Sequence, residues 1–440
     1  MSAIYDQPID LLQTLIRFDT TNPPGNEIAC IQYINGLLQE AGFETTVLAK
    51  DPNRPNLIAR LSGSGKAPGL VLQGHVDVVT TAGQDWQQPP FAANIVDGYL
   101  WGRGSLDMKS GVVMMLCALL RAKAAGVTPA GDIILTVLSD EEAGSEYGAN
   151  FLVDEHAEQF EGVRYAIGEG GGPPMWIGDQ KYYSIMISEK QVCWMRATLR
   201  GPAGHASMPM RDGAMARLGQ LLTTLNGSRL PVHKTEPVLQ MLQALADTAP
   251  ANIRTVVQQL MDAADPDPVL DELIAEGVRL GNRMDALLHN TVNATGLRAS
   301  DKVNVIPAEV SIELDGRLLP GYTPDQMMAE LHALLGDDVA LEVTKHNPGP
   351  ASVDMGLFDT LAGILKDADP SGIALPSVAS GFTDGRCFAK LGIQNYGFLP
   401  LALPRDFNAM STVHAANERI PVDSLQFGVD ALFELVQRYR

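Results

Sequence analysis

Leu70-Val71-Leu72-Gln73-Gly74-His75-Val76-Asp77 is the stretch on which the fold turns. Its opening residues form an apolar run of strand length, Leu70–Gln73, which stops at a glycine followed by an imidazole and a carboxylate. The same grammar recurs downstream. A strand over Ile133–Leu138 leads into Ser139-Asp140-Glu141-Glu142, and one over Val163–Ile167 leads into Gly168-Glu169-Gly170-Gly171-Gly172. A strand over Ile393–Leu399 enters a polar loop that ends in His414-Ala415-Ala416-Asn417-Glu418. Open α/β sheets place their ligands beyond the carboxyl ends of parallel strands. Imidazoles and carboxylates far apart in sequence are therefore expected on one edge of one sheet.

Helical periodicity fills the intervals. It covers residues 8–17, 27–41 (stopping at Gly42) and Met108–Ala125 (stopping at Gly126), with a further strand at Asn56–Leu61. Gly102-Arg103-Gly104-Ser105-Leu106-Asp107 opens the helix at 108 and adds a fifth polar cluster. Strands separated by helices predict an α/β class, with a mixed, largely parallel sheet flanked by helices. Near residue 190 the texture changes. Strands are expected at Gln191–Leu199, Asn304–Leu314 and Val339–Lys345, and helices at Gly213–Leu225 and Thr323–Leu335. Thr323 reads as the cap of the second helix and Pro324 as its first position. Residues 230–290, rich in Asp, Ala and Leu, read as a helical insertion. After Pro348 the α/β pattern returns, with helices at Leu357–Asp367 and near Ser424–Gln437. A chain of 440 residues exceeds what one core usually organises. The expectation is a discontinuous α/β domain, 1–189 and 348–440, interrupted by an inserted α+β domain at 190–347.

With 52 acidic against 32 basic side chains the formal charge is −20, which repels nucleic acid and anionic membrane surfaces. The first residues carry no basic region followed by an apolar stretch and a cleavage site, and no apolar run approaches the ~20 residues that span a bilayer. Cys30, Cys117, Cys193 and Cys387 are scattered without metal-type spacing and read as reduced, buried thiols. A cytoplasmic location is the expectation.

A lone His-x-Asp or a run of acids is usually a solvated surface feature. The strand-end and glycine-rich settings of the clusters above raise them beyond that reading, whereas His156, His233, His289, His332 and His346 lie in helical or variable segments and read as structural. Two histidines with several carboxylates suit zinc. The charge count favours a pair of ions, because three ligating carboxylates and a hydroxide balance two divalent cations, whereas burying those carboxylates alone is very costly. Such a pair polarises a carbonyl and lowers the pKa of a water. Glu141 and Glu142 allow one acid to ligate while its neighbour carries protons. Rival motifs fail: Ser62-Gly63-Ser64-Gly65-Lys66 lacks the leading glycine and the trailing hydroxyl of a phosphate loop, and neither Gly-x-Ser-x-Gly nor His-Glu-x-x-His occurs.

The stretches GHVDVV (74–79), GRGSLDMKSG (102–111), SDEEAGS (139–145), GEGGG (168–172), GPAGHASMP (201–209), NVIP (304–307) and SGFTDGR (380–386) together resemble one family. It is the dinuclear-zinc metallopeptidase family of aminoacylase, acetylornithine deacetylase, succinyl-diaminopimelate desuccinylase, glutamate carboxypeptidase and carboxypeptidase S. The resemblance runs through nearly the whole chain in the expected order. It implies a phosphorylase/hydrolase-like zinc peptidase core with an inserted lid that mediates homodimerisation. It further implies that His75 and Glu169 hold one ion, that Glu142 and His414 hold the other, and that Asp107 bridges them. The ions would be zinc, with cobalt or manganese as alternatives. Glu141 would be the general base and later the acid, and Asp77 would orient the His75 imidazole. His205 would stabilise the oxyanion from the partner subunit. Asn304, Arg317 and Arg386 would hold the carboxylate of a small substrate, a task suited to a planar guanidinium. The loop Gly168-Glu169-Gly170 mixes the patterns of the family's branches, whereas the long segment at 230–290, running into Leu287-Leu288-His289-Asn290-Thr291-Val292, resembles the carboxypeptidase-S branch.

The expected activity is hydrolysis of the amide bond of an N-acyl amino acid or small peptide bearing a free carboxylate. A dipeptidase or carboxypeptidase shares this machinery and is the alternative. A metal-free binding relic of the fold is the rival from another class, and it has no need to keep Glu141 beside intact ligands.

Overall fold

The computed structural model describes residues 3–350 and 352–440. Helices α1 (Pro8–Ile16) and α2 (Ile28–Glu40) precede strands β1 (Thr45–Leu48), β2 (Asn56–Leu61) and β3 (Gly69–His75). Helix α3 (Lys109–Ala124), strand β4 (Ile133–Leu138), helix α4 (Ala149–Glu155) and strands β5 (Val163–Gly168), β6 (Pro174–Ile177) and β7 (Gln180–Glu189) follow. The middle of the chain holds β8 (Gln191–Arg200), α5 (Ala214–Gly227), α6 (Glu236–Thr248), α7 (Ala251–Asp262), α8 (Asp267–Ala275) and α9 (Arg279–Leu288). It continues through β9 (Thr291–Arg298), β10 (Glu309–Leu318), α10 (Pro324–Leu335) and β11 (Ala340–Asn347). The last part holds α11 (Phe358–Ala368), β12 (Gly372–Ala379), α12 (Gly385–Ala389), β13 (Gln394–Gly397) and α13 (Leu425–Arg438).

The main sheet runs β1-β2-β4-β3-β5-β13-β7-β12, with β6 paired to β7. Its central strands β4, β3, β5 and β13 are parallel, while β2 meets β4 and β13 meets β7 antiparallel. Central parallel strands are covered on both faces, and the side chains divide accordingly. Leu70 and Leu72 face the core formed with α1, α3 and α13, whereas Val71 faces the one formed with α4 and α12. Helix α3 is apolar around most of its circumference because it lies between the sheet, α1 and α13.

The outer parallel pair, β7 and β12, carries no strand signature that the sequence reading registers. Pro376 interrupts β12, which is tolerable because that strand lies at the sheet edge. Helices α6–α9 gather their apolar faces over this edge, in a core shared with Tyr182, Leu375 and Val378.

A second, antiparallel sheet has the order β9-β10-β8-β11. In β10, Val310, Ile312, Leu314 and Leu318 are buried in a core with Leu218 and Leu221 of α5 and Met327 and Leu331 of α10. Helix α10 starts with the expected cap: Thr323 and Gln326 form a reciprocal capping box ahead of Pro324. The single strand expected at Asn304–Leu314 is two strands. Val305–Ile306 pairs with Gly204–His205, and β10 begins only at Glu309. Pro307 lies in the gap, where its missing N–H interrupts any ladder.

Candidate active site

The carboxyl ends of β3, β4 and β5 open onto one edge of the main sheet. They deliver His75, the Asp140–Glu142 turn and Glu169 respectively, and His414 arrives from the loop after β13. The glycines after Glu169 let that loop pass tightly against β13. Gly172 has φ +129°, and a Cβ there would sit 1.9 Å from the Leu399 carbonyl oxygen.

Asp107 stands at the centre. Its Oδ1 lies 3.2 Å from His75 Nε2 and its Oδ2 lies 3.0 Å from His414 Nε2. Glu169 Oε2 and Glu141 Oε2 are 3.8 and 3.9 Å from His75 Nε2, and Glu142 Oε2 is 3.2 Å from His414 Nε2. The six side chains thus form overlapping groups of three that share His75, Asp107 and Glu142. His414 has a left-handed backbone, φ 60°, which is uncommon outside glycine and is found where surrounding structure imposes it.

Asp77 supports this group from beneath. Its Oδ1 accepts from the Glu141 N–H at 3.1 Å and its Oδ2 from the Glu142 N–H at 3.1 Å. The His75 Nδ1 lies 3.0 Å from the Asp77 carbonyl oxygen and 3.4 Å from its carboxylate. The main-chain oxygen is the closer acceptor, so Asp77 fixes the imidazole mainly through its backbone and the two glutamates through its carboxylate. A proton on Nδ1 leaves Nε2 as a ligand.

Electrostatically the cluster is unbalanced. Burial, and then the Asp107 charge, pushes Glu169 up to about 7, and burial together with Glu169 holds Glu141 well above the usual carboxylate range. Hydrogen bonds to Asp107 and Glu142 push His414 up to about 10. His75 Nε2 and Glu142 Oε1 are buried without a well-directed hydrogen-bond partner. Orphaned donors of this type fit divalent cations, which reverse the local charge balance. The residue set therefore fits a pair of metal ions.

Residues that the sequence reading does not single out hold the frame. Glu418 is fully buried; it accepts from the Leu106 N–H at 2.7 Å and the Asp107 N–H at 3.2 Å, and it pairs with Arg103 at 2.7 Å. It shapes the turn that presents Asp107, and its closeness to His414 in sequence is the only clue to it. Asn22 and Arg54, buried behind Asp77 and Asp140, have no such clue.

Of the residues expected to bind substrate, Arg386 is buried on α12. It donates from Nη1 to the Thr383 carbonyl at 2.6 Å and from Nη2 to Ser145 Oγ at 2.9 Å, and its Nε has no partner. Arg317 reaches from β10, is held by Asp315 at 2.7 and 3.0 Å, and leaves Nη1 buried without a partner. Both guanidinium groups lie over Phe382, at 4.9 Å for Arg317 and 4.2 Å for Arg386. His205 and Asn304 are brought together elsewhere, on the short two-stranded ribbon. The Ala206 N–H donates to the Asn304 carbonyl at 3.2 Å, and the exposed His205 ring lies 2.8 Å from Ser207 Oγ.

The family model described as "Peptidase family M20/M25/M40" matches residues 71–438. Carboxypeptidase S-like 2 of Dictyostelium discoideum is 26% identical over 84% of this chain and 71% of that protein. The N-fatty-acyl-amino acid synthase/hydrolase PM20D1 of Mus musculus is 27% identical over 85% of this chain and 75% of its own length. Among solved structures, the M20 metallo-carboxypeptidase Sso-CP2 of Sulfolobus solfataricus superposes with a TM-score of 0.70 at 16% identity, covering 99% of each chain. Human carnosine dipeptidase 1 superposes at 0.66 and 16% identity, over 98% of this chain and 96% of that one. These likenesses show the fold: a mixed α/β architecture with a largely parallel central sheet. Among the described residues, no helix is long and apolar enough to cross a membrane.

Proposed function

The chain belongs to the peptidase family M20/M25/M40, and we propose that this metal-dependent amide-bond hydrolase cleaves N-acyl amino acids or small peptides that bear a free carboxylate. The position of Asp107, with one oxygen toward each of two histidines at 3.2 and 3.0 Å, carries the reading. His75 and Glu169 would hold one ion, Glu142 and His414 the other, with Asp107 shared between them. Zinc suits this donor set best, with cobalt or manganese able to replace it. Ions held there would supply Lewis-acid polarisation of the scissile carbonyl and a more acidic water.

The protein's own groups do the rest. Glu141, buried beside the cluster, takes a proton from the attacking water and returns it to the leaving amine. Asp77 keeps the His75 ring and the Glu141–Glu142 turn in register. Arg386 and Arg317 offer unpartnered N–H groups to the substrate carboxylate. Residues 190–347 act as the lid, anchored on the edge of the main sheet through α6–α9, with 1–189 and 348–440 as the catalytic domain. His205 and Asn304 serve the active site of a second subunit in a homodimer. Four free, buried cysteines fit a reducing, cytoplasmic setting.

A relative named for N-fatty-acyl-amino acids favours the acyl-amino-acid substrate, and one named carboxypeptidase S-like keeps the peptide reading in view. The deciding experiment loads the protein with zinc or cobalt, counts bound ions, and assays N-acyl amino acids of graded chain length against dipeptides. Hydrolysis confined to dipeptides would transfer the assignment to the peptidase reading. No hydrolysis of either class by protein carrying two ions would end the proposal.

A further inference from the structure

We infer that Asn22 is a positioning residue for the His75 half of the cluster, acting through Asp77. The inference rests on the dinuclear-metal reading above. Asn22 is 4% exposed, and its Nδ2 donates to Asp77 Oδ2 at 2.8 Å and to Asp140 Oδ1 at 3.1 Å. Two buried carboxylates therefore meet across one amide nitrogen. Asp140 has other support: Arg54 Nη1 at 2.8 Å and the Tyr147 N–H at 3.0 Å. Arg54 in turn forks onto Glu27 at 2.7 and 3.2 Å. Among the described residues Asp77 has no arginine or lysine partner of this kind; apart from the histidine it orients, it depends on Asn22 and the two glutamate amides.

The chemistry selects this side chain. An amide nitrogen supplies two N–H donors without adding charge, and two carboxylates at this separation need both. Without Asn22, Asp77 Oδ2 keeps only the Glu142 N–H, and a buried, under-satisfied carboxylate moves to find partners. Asp77 cannot move alone. Its carbonyl and carboxylate fix the His75 ring, and its oxygens set the Glu141 and Glu142 backbone. Loss of Asn22 is thus transmitted to a ligand of each ion and to the base. Removal of a direct outer partner of a ligating group costs roughly 10–100-fold in metal affinity or activity, a range that bounds the effect of Asn22 acting through Asp77.

The experiment uses full-length Asn22→Ala and Asn22→Ser with wild type, each stripped and reloaded with cobalt. Metal affinity is read by chelator competition, ligand geometry by the cobalt visible spectrum, turnover by steady-state kinetics, and stability by melting of the metal-free protein. The expected result is about 10–100-fold weaker retention of at least one ion, an altered spectrum, and a kcat lowered while KM stays near wild type. Should Asn22→Ala not fold, Asn22→Ser keeps one donor and gives the same comparison. Affinity and spectrum at wild-type values, whether or not melting shifts, would overturn the inference and leave Asn22 a structural residue. Wild type that binds no ion would instead overturn the metal reading, and this inference with it.

Discussion

Arg317, from strand β10, and Arg386, from helix α12, lie over the same phenyl ring at 4.9 and 4.2 Å from its centroid. Each keeps one buried nitrogen without a partner, Nη1 of Arg317 and Nε of Arg386. A guanidinium packed against an aromatic ring loses freedom, and its planar fork matches the geometry a carboxylate accepts. Substrate binding would then draw on the second sheet and on α12 at once.

Arg386→Lys should therefore damage catalysis although charge is kept, since an ammonium cannot stack on Phe382 or reproduce the planar fork that spans Thr383 and Ser145. We expect kcat/KM for a carboxylate substrate to fall about 10²-fold, as for other buried charged hydrogen bonds worth ~1.5–3 kcal/mol. The same substrate with its carboxylate converted to a carboxamide should lose far less. Steady-state kinetics on the matched pair checks this, and equal losses on both would detach Arg386 from the carboxylate.

Glu141→Gln removes the proposed proton carrier while preserving shape. Turnover should drop by roughly 10²–10⁴-fold, and two ions per chain should remain, because Glu142, Glu169, Asp107 and the histidines are untouched. Elemental analysis beside an activity assay tests both halves. A variant within tenfold of wild type excludes Glu141 as the base. Removing the ions from wild type with a chelator should abolish activity, and zinc or cobalt should restore it.

How much of this was legible in the sequence follows from where each residue stands. His75, Glu142, Glu169 and His414 were readable because each closes a strand or its following loop, and strand ends converge in space whatever their sequence separation. Their support was not. Glu418 reaches the Asp107 turn across more than 300 positions, and Asn22 reaches Asp140 across 118. No local pattern marks a hydrogen bond of that span. Strand β12 was missed for the opposite reason: Pro376 is a local signal against a strand, and edge position overrides it.

Asp369 yields a pH prediction away from the metals. Burial alone would raise its carboxyl, but Lys181 at 2.8 Å, Ser371 at 2.6 Å and Tyr183 at 2.9 Å outweigh that and hold it below the usual range. A depressed folded-state pKa stabilises above the unfolded value near 3.9 and loses that contribution as pH falls through the folded value. Asp369→Asn should thus cost about 1–2 kcal/mol at pH 7. The gap from wild type should narrow steadily below about pH 4. Urea unfolding at several pH values reads this directly, and a gap independent of pH refutes it.

The last prediction concerns His205. The ribbon and the segments that flank it expose apolar groups to an unusual degree: Val303 is 102% exposed, Met208 70% and Val305 42%. An isolated exposed apolar residue needs no explanation, but several around one imidazole fit a surface that is covered in the assembled protein. Among the described residues, the His205 ring bonds only to neighbouring Ser207. If it supplies an oxyanion donor to a second subunit, His205→Ala should lower turnover by about 10²–10³-fold with metal content unchanged. Mixing His205→Ala with Glu141→Gln under conditions of subunit exchange then distinguishes the arrangements. A heterodimer of the two contains one site with a wild-type glutamate from one chain and a wild-type histidine from the other. Activity should recover toward a quarter of wild type at equal mixing, since about half the dimers are mixed and each holds one complete site. No recovery, with exchange demonstrated by tagged subunits, would place His205 in its own chain's site or outside catalysis altogether.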